Sequence, residues 1–201
     1  WMYSKIKKGD IRSMRKVLQL LSVVVVGIAV ALMLISPELV LIFGSPKYRE
    51  AVYVIPPVAA SVFFIFIYNI LSMPQFYYEK TQFLMAASMA AAGANVVLNF
   101  IFIRLFGYIA AGYTTLACYM LYSVGHYIVS KRILVNEGIQ ENLMSPGFLV
   151  ACSVFLIGAS IICNLIFPYR ILRYAILLAS AGLVFWKKEL LLKTMADIRK
   201  K

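Results

Sequence analysis

Two sets of polar side chains recur at helical spacing in an otherwise apolar part of the sequence. Within residues 81–103 the recurring positions are Ser88, Ala92, Asn95 and Asn99. Within 107–130 they are Thr115, Tyr119, Tyr122 and His126. Side chains three or four positions apart share one face of a helix. The sequence therefore predicts two polar stripes, named here the asparagine stripe and the tyrosine stripe.

The two stripes have two possible roles. Amides and hydroxyls exchange hydrogen bonds with sugars, so the stripes could line a polar path. They could equally hold helices together, at about 0.6 kcal/mol per hydrogen bond inside a membrane. His126 at the end of the tyrosine stripe is either a proton-coupling group or a structural histidine near the headgroups.

Further polar candidates lie near the ends of apolar stretches. Pro74 removes one helical hydrogen bond, and Asn69 and Gln75 lie beside it. This pattern predicts either a helix that stops near Pro74 or a discontinuous helix lining a cavity, as in many transporters. Arg104, before Gly107, is either a turn residue anchored at the headgroups or a cationic contact for a phosphate.

The sequence offers no constellation typical of an enzyme. The apolar stretches carry no pair of carboxylates, no nucleophile beside a base and no acidic partner at helical spacing from the single histidine. The three cysteines lack metal-ligand spacing and are interpreted as packing residues. We expect no catalytic residue, no metal and no cofactor.

Composition places these side chains in a membrane. The chain has 201 residues, of which 63% are hydrophobic and 14% charged, and its mean hydropathy is +0.86. Stretches without any charged residue exceed the roughly 20 residues that cross a bilayer. Runs that are apolar on both faces favour helices over barrel strands. We predict an all-α protein with six transmembrane helices at 17–43, 51–76, 81–103, 107–130, 147–167 and 171–187.

Basic residues predict the orientation of these helices. With both termini cytoplasmic, 15 Lys and Arg residues lie in inside segments and 5 in outside turns. The net charge of +12 is thus explained by lipid headgroups, without nucleic acid. The predicted segments are a basic cytoplasmic loop, a four-helix membrane portion, a cytoplasmic connector, a terminal hairpin and a basic tail, at 1–16, 17–131, 132–146, 147–187 and 188–201. Ser145 and Pro146 are expected to start the fifth membrane helix.

An ordered series of motifs resembles a known family. Residues 95–103 read N-x-x-L-N-x-x-x-I, 106–111 read F-G-x-x-A-A and 114–119 read T-T-L-x-x-Y. Upstream, "PELVLIFGSPKYREAVYVIPPVAASVFF" and "MPQFYYEKT" extend the similarity, which covers about 37–131. In these elements the chain is similar to bacterial O-antigen-type flippases for lipid-linked oligosaccharides, of the multidrug/oligosaccharidyl-lipid/polysaccharide exporter superfamily.

The resemblance implies a fold of two helical lobes around a central cavity, often with an added carboxy-terminal hairpin. The chain would supply most of the second lobe and the hairpin, and because it begins at Trp1 we expect a carboxy-terminal fragment. The family moves undecaprenyl-diphosphate-linked sugar units across the bacterial inner membrane for O-antigen, capsule or exopolysaccharide synthesis. Implied partners are this lipid-linked substrate, membrane lipid and the amino-terminal lobe. A polysaccharide polymerase and glycosyltransferases are further candidates.

Two other functions stay open at the level of sequence. A cation-coupled multidrug exporter of the same superfamily would be favoured by a carboxylate buried in mid-helix, and none is evident. A membrane enzyme acting on polyprenyl-linked sugars would be favoured by a large outer loop with acidic or histidine groups. The expected outer turns are only a few residues long.

Overall fold

The chain is helical throughout residues 1–186, the part that this computed structural model describes, and no strand occurs among them. The elements are α1 (Met2–Lys7), α2 (Ile11–Phe43), a 3₁₀ helix (Pro46–Val54), α3 (Ile55–Tyr77), α4 (Gln82–Phe106), α5 (Ala110–Asn136), α6 (Pro146–Ile166) and α7 (Arg170–Trp186). The all-α prediction is confirmed for this range. The predicted basic tail, 188–201, lies outside the described residues.

Four helical segments are long and apolar enough to cross a membrane. They are Ile11–Phe43, Arg49–Tyr77, Gln82–Phe106 and Pro146–Ile166. The predicted spans at 107–130 and 171–187 correspond to α5 and α7. The first of these carries Thr, Tyr, Ser and His along its length, and the second is described for 17 residues. The chain is therefore a multi-pass membrane protein by the length and composition of its helices.

The amino-terminal segment differs from the loop predicted for 1–16. It forms α1 and the first turns of α2, because Ile6, Ile11 and Met14 pack into the core at 2%, 0% and 0% exposure. The Asp10 carboxylate caps α2 by accepting a hydrogen bond from the Ser13 backbone N–H at 3.3 Å. Basic and apolar residues alternate in this segment, so α1 and the first turns of α2 are amphipathic.

The centre of the bundle is α3, which packs against α2, α5 and α6. Ala60, Phe63, Ile67 and Leu71 of this helix are almost fully buried. It continues through Pro74 to Tyr77 without interruption, and Ser72 Oγ donates to the Asn69 carbonyl at 2.8 Å one turn earlier. The alternative of a discontinuous helix is therefore wrong for the described chain.

Helices α3 and α5 approach each other closely at Gly112. A Cβ atom at this position would lie 2.7 Å from Pro57 Cγ and 3.0 Å from the Val54 carbonyl oxygen. Only glycine leaves room for this contact. In contrast, α4 packs mainly against α5 and contains no buried residue.

The connections group at two ends of the bundle. At one end, here called the connector end (residues 1–10, 78–81 and 137–145), Lys80 pairs with Glu137 at 3.3 Å and Arg12 with Glu141 at 3.4 Å. At the other end, the Tyr108 hydroxyl donates to the Glu50 carboxylate at 3.0 Å. The segments predicted to share one side of the membrane are thus neighbours within the described range.

A candidate polar cleft between α4 and α5

The asparagine and tyrosine stripes face each other across a cleft. Its volume is about 450 Å³, and it is lined by Tyr68, Ser88, Ala91, Ala92, Asn95, Val96, Thr115, Cys118, Tyr119 and Tyr122. Because α4 and α5 are antiparallel neighbours joined by a short turn, two stripes with the same spacing come into register. One side of the cleft is open, because no described helix other than α5 packs extensively against α4.

Hydrogen bonds join α4 and α5 at two levels. Ser88 Oγ and the Tyr122 hydroxyl lie 2.6 Å apart across the cleft. One end of the asparagine stripe forms a chain in which Asn99 Nδ2 donates to Asn95 Oδ1 at 2.9 Å and Thr114 Oγ1 donates to Asn99 Oδ1. Asn99 thus supports the cleft from its end, whereas Asn95, Thr115, Tyr119 and Tyr122 line it.

Three tyrosine rings give the cleft an aromatic wall. Tyr68 of α3 lies between the two helices, with its ring parallel to that of Tyr119 at 6.4 Å and tilted to that of Tyr122 at 4.7 Å between centroids. Sequence reasoning missed Tyr68. Its spacing of seven residues from Gln75 places both on one face of α3, and this was the available signal.

His126 and Gln75 form a buried pair at the end of the tyrosine stripe. Gln75 Nε2 and His126 Nδ1 are 2.8 Å apart, and both side chains are fully buried at 0% exposure. The rings of Tyr68, Phe83 and Tyr122 surround the imidazole. The amide also donates to the Leu71 carbonyl at 3.3 Å, so it acts as donor and the neutral imidazole accepts at Nδ1. This pairing gives His126 a structural role between α3 and α5.

Two predicted candidates lie away from the cleft. Asn69 is exposed and donates to the carbonyl of Ile65 in its own helix at 2.7 Å. Arg104 is exposed in the last turn of α4, with its guanidinium 3.8 Å above the Phe100 ring. Arg104 is thus a helix-end residue and not part of the turn itself, which begins at Gly107 with a φ of 77°. Neither side chain is among those that line the cleft.

Ser145 is the N-cap residue of α6, as predicted, although its side chain makes no capping hydrogen bond. Arg173, in the first turn of α7, is 1% exposed. It makes a bidentate pair with Glu38, with both N···O distances 2.8 Å, and donates to the Leu34 carbonyl at 2.7 Å.

The Glu38–Arg173 pair explains why these charges tolerate an apolar setting. Tyr174 adds a third hydrogen bond to the Glu38 carboxylate at 2.8 Å. A buried guanidinium is costly unless partners offset its charge, and the bidentate pair does this through both terminal nitrogens, while Nε has no partner among the described residues. The pair joins residues 135 positions apart, so no local pattern in the sequence could have revealed it.

No group of three His, Cys, Asp or Glu side chains within residues 1–186 is arranged to hold a metal ion. The comparisons with protein-family models, curated proteins and solved structures find no match to the chain.

Proposed function

We propose that this chain is the second lobe, with a terminal hairpin, of a flippase that moves undecaprenyl-diphosphate-linked oligosaccharides across the bacterial inner membrane. The observation that carries the proposal is the polar cleft between α4 and α5. It combines tyrosine rings with amide and hydroxyl groups inside a multi-pass membrane protein. The proposal includes six transmembrane spans. In addition to the four apolar segments described above, the more polar helix α5 and the shorter helix α7 cross the membrane. Both termini are cytoplasmic.

The chemistry of the cleft suits sugars. A pyranose presents C–H faces that pack on aromatic rings and hydroxyls that exchange hydrogen bonds with amides and phenols. Tyr68, Tyr119 and Tyr122 provide the rings, and Asn95 and Thr115 provide the polar groups. The cleft contains no cation, so it would contact the sugars and not the diphosphate.

The diphosphate needs cations from elsewhere. The two terminal nitrogens of Arg173 donate to Glu38 and Leu34, and Arg104 lies at the exposed end of α4. In our proposal the amino-terminal lobe lies across the open side of the cleft and contributes most of the positive charge, while Arg104 contacts phosphate as the substrate leaves. The lipid tail stays in the bilayer, and alternating access moves the headgroup.

A cation-coupled drug exporter is less well supported. Such an exporter needs a carboxylate free to bind and release a cation. The carboxylate closest to this requirement is Glu38, but it accepts three hydrogen bonds from Arg173 and Tyr174. A membrane enzyme is also less well supported, since the cleft lacks a nucleophile beside a base.

Matched asparagine variants test the proposed cleft. In the full-length protein, Asn95→Leu should reduce surface polysaccharide strongly without loss of membrane insertion. Asn69→Leu makes the same chemical change on an exposed face outside the cleft and should preserve polysaccharide output. Equal output from both correctly inserted variants would exclude the cleft as the sugar path.

The support at the end of the cleft and the exit cation are tested separately. Asn99→Leu should reduce polysaccharide output because it breaks the chain from Thr114 to Asn95. Arg104→Ala should reduce output while Arg104→Lys retains part of it, because a phosphate contact needs the positive charge. If Arg104→Ala leaves output unchanged, Arg104 serves only as a headgroup anchor.

A further inference from the structure

A second depression lies on the other side of α5, and the proposed function makes no use of it. It is a groove of about 190 Å³ between α5 and α6, with α3 as its base. We name it the lateral groove; its lining consists of Phe63, Phe64, Ile67, Leu71, Met120, Ser123, Val124, Tyr127, Pro146, Leu149, Val150 and Ser153. Val124 and Val150 at its edge are 56% and 62% exposed, so the groove opens to the outside of the bundle.

The groove is apolar except near the connector end. The hydroxyls of Ser123 and Ser153 bond to backbone carbonyls of the surrounding helices, which leaves no free polar group there. Tyr127 differs, because its hydroxyl is buried and has no hydrogen-bond partner among the described residues. Tyr127 and Pro146 occur where α5 nears its end and α6 begins, so the unpartnered hydroxyl lies toward the connector end.

A cation lies at the same place. Arg15 Nε donates to the carbonyl of Asn142 at 2.7 Å, just before α6, and its guanidinium acts electrostatically on the Tyr127 hydroxyl. Its two terminal nitrogens have no partner within residues 1–186, whereas Lys5, Arg12 and Lys80 pair with carboxylates. The amino-terminal end of α6 adds positive potential, since the side chain of its cap residue makes no hydrogen bond there.

We infer that the lateral groove holds one acyl chain of an anionic bilayer phospholipid, whose phosphate contacts Arg15 and the Tyr127 hydroxyl. The apolar part of the groove matches a hydrocarbon chain, and the cation at its end matches a phosphate. Basic pockets between transmembrane helices recognise anionic headgroups in this way.

The lipid would fill the space between α5 and α6, which otherwise touch little. Its phosphate would reinforce the existing contact between the first turns of α2 and the start of the terminal hairpin. This role concerns a bilayer lipid and not the transported glycolipid, so it stands independently of the proposed transport function.

Native mass spectrometry of the full 201-residue chain in detergent, with phosphatidylglycerol and phosphatidylcholine offered together, tests the inference. We expect preferential retention of phosphatidylglycerol. Val150→Trp should abolish this retention by filling the groove, whereas Val154→Trp, one turn further along α6 and 65% exposed, should preserve it. Arg15→Gln should weaken retention about fivefold, the effect of one cation beside an anionic lipid. Lys16→Gln, which removes a neighbouring exposed cation, should have a smaller effect.

Three results would overturn the inference. Equal retention of both phospholipids would show non-selective lipid contact. Unchanged retention in Val150→Trp would place the lipid elsewhere, and circular dichroism of each variant verifies that it is folded. Displacement of phosphatidylglycerol by equimolar undecaprenyl phosphate would assign the groove to a polyprenyl lipid. Because Arg15→Gln leaves the lining of the groove unchanged, it tests the cationic contact even if Val150→Trp fails to fold.

Discussion

Helices α3 and α4 are similar in sequence character but opposite in their surroundings. They have 23 and 25 residues, and each belongs to a segment apolar enough to span a membrane. Yet α3 buries 13 of its residues inside the bundle and α4 buries none. The apolar character of a segment therefore shows that it avoids water. It does not show whether lipid or other helices of the protein surround the segment.

Small residues show the same contrast. Gly112, which packs against the start of α3, has no space for a Cβ atom, whereas Gly93 in α4 has nothing within 4 Å. Hydrogen bonds occur on both sides of α5, with Gln75–His126 toward α3 and Ser88–Tyr122 toward α4. The α3 side combines such bonds with close packing, whereas the α4 side has no buried residue of α4 and is held more loosely.

The largest expected effect is truncation of a core side chain in α3. In a water-soluble core Phe→Ala costs about 3–5 kcal/mol. We expect Phe63→Ala to lower the free energy of unfolding by about 2–3 kcal/mol, since lipid is as apolar as the protein interior and mainly the cavity contributes. Phe100→Ala in α4, where the ring is 59% exposed, should cost under about 1 kcal/mol. Unfolding titrations in mixed micelles measure both, and equal losses would contradict the comparison.

Replacement of glycine by alanine should change the free energy of unfolding by a smaller amount. The sign of the change should differ between Gly112 and Gly93. Gly112→Ala forces Pro57 or the Val54 backbone to move and should destabilise the protein by about 1–2 kcal/mol. Gly93→Ala has open space and should be neutral or stabilising by up to about 1 kcal/mol, because alanine favours helix. The same titration measures both variants. A destabilising Gly93→Ala would reveal an unseen neighbour of α4, such as the proposed amino-terminal lobe.

The smallest expected effect concerns the hydrogen bond between α4 and α5. Ser88→Ala and Tyr122→Phe each remove one partner of the 2.6 Å contact. A double-mutant cycle should give a coupling energy of about 0.6 kcal/mol, the usual value for such a bond in a membrane. A coupling near zero would mean that the Ser88–Tyr122 bond does not help to hold α4 against α5.

The helical periodicity of the two stripes predicted many of the residues that line the cleft. The two stripes were correctly grouped because residues three and four apart must share a helix face, and the short turn at Gly107 makes their helices antiparallel neighbours. The same logic failed for Asn69, because one polar residue beside a proline does not define which face is buried. Tyr68 escaped notice because its seven-residue spacing from Gln75 places both on one face of α3 without showing which helix that face meets.

The residues alone determined that the chain is all-helical and resides in a membrane, because long apolar runs can satisfy their backbone groups there only as helices. They also determined which polar side chains share a face. Only the tertiary structure decided which helix lies at the centre of the bundle, which stripe meets Tyr68, and that Arg173 pairs with Glu38. These outcomes depend on contacts between distant segments, and the free energies of such contacts come from shape and proximity that no local pattern encodes.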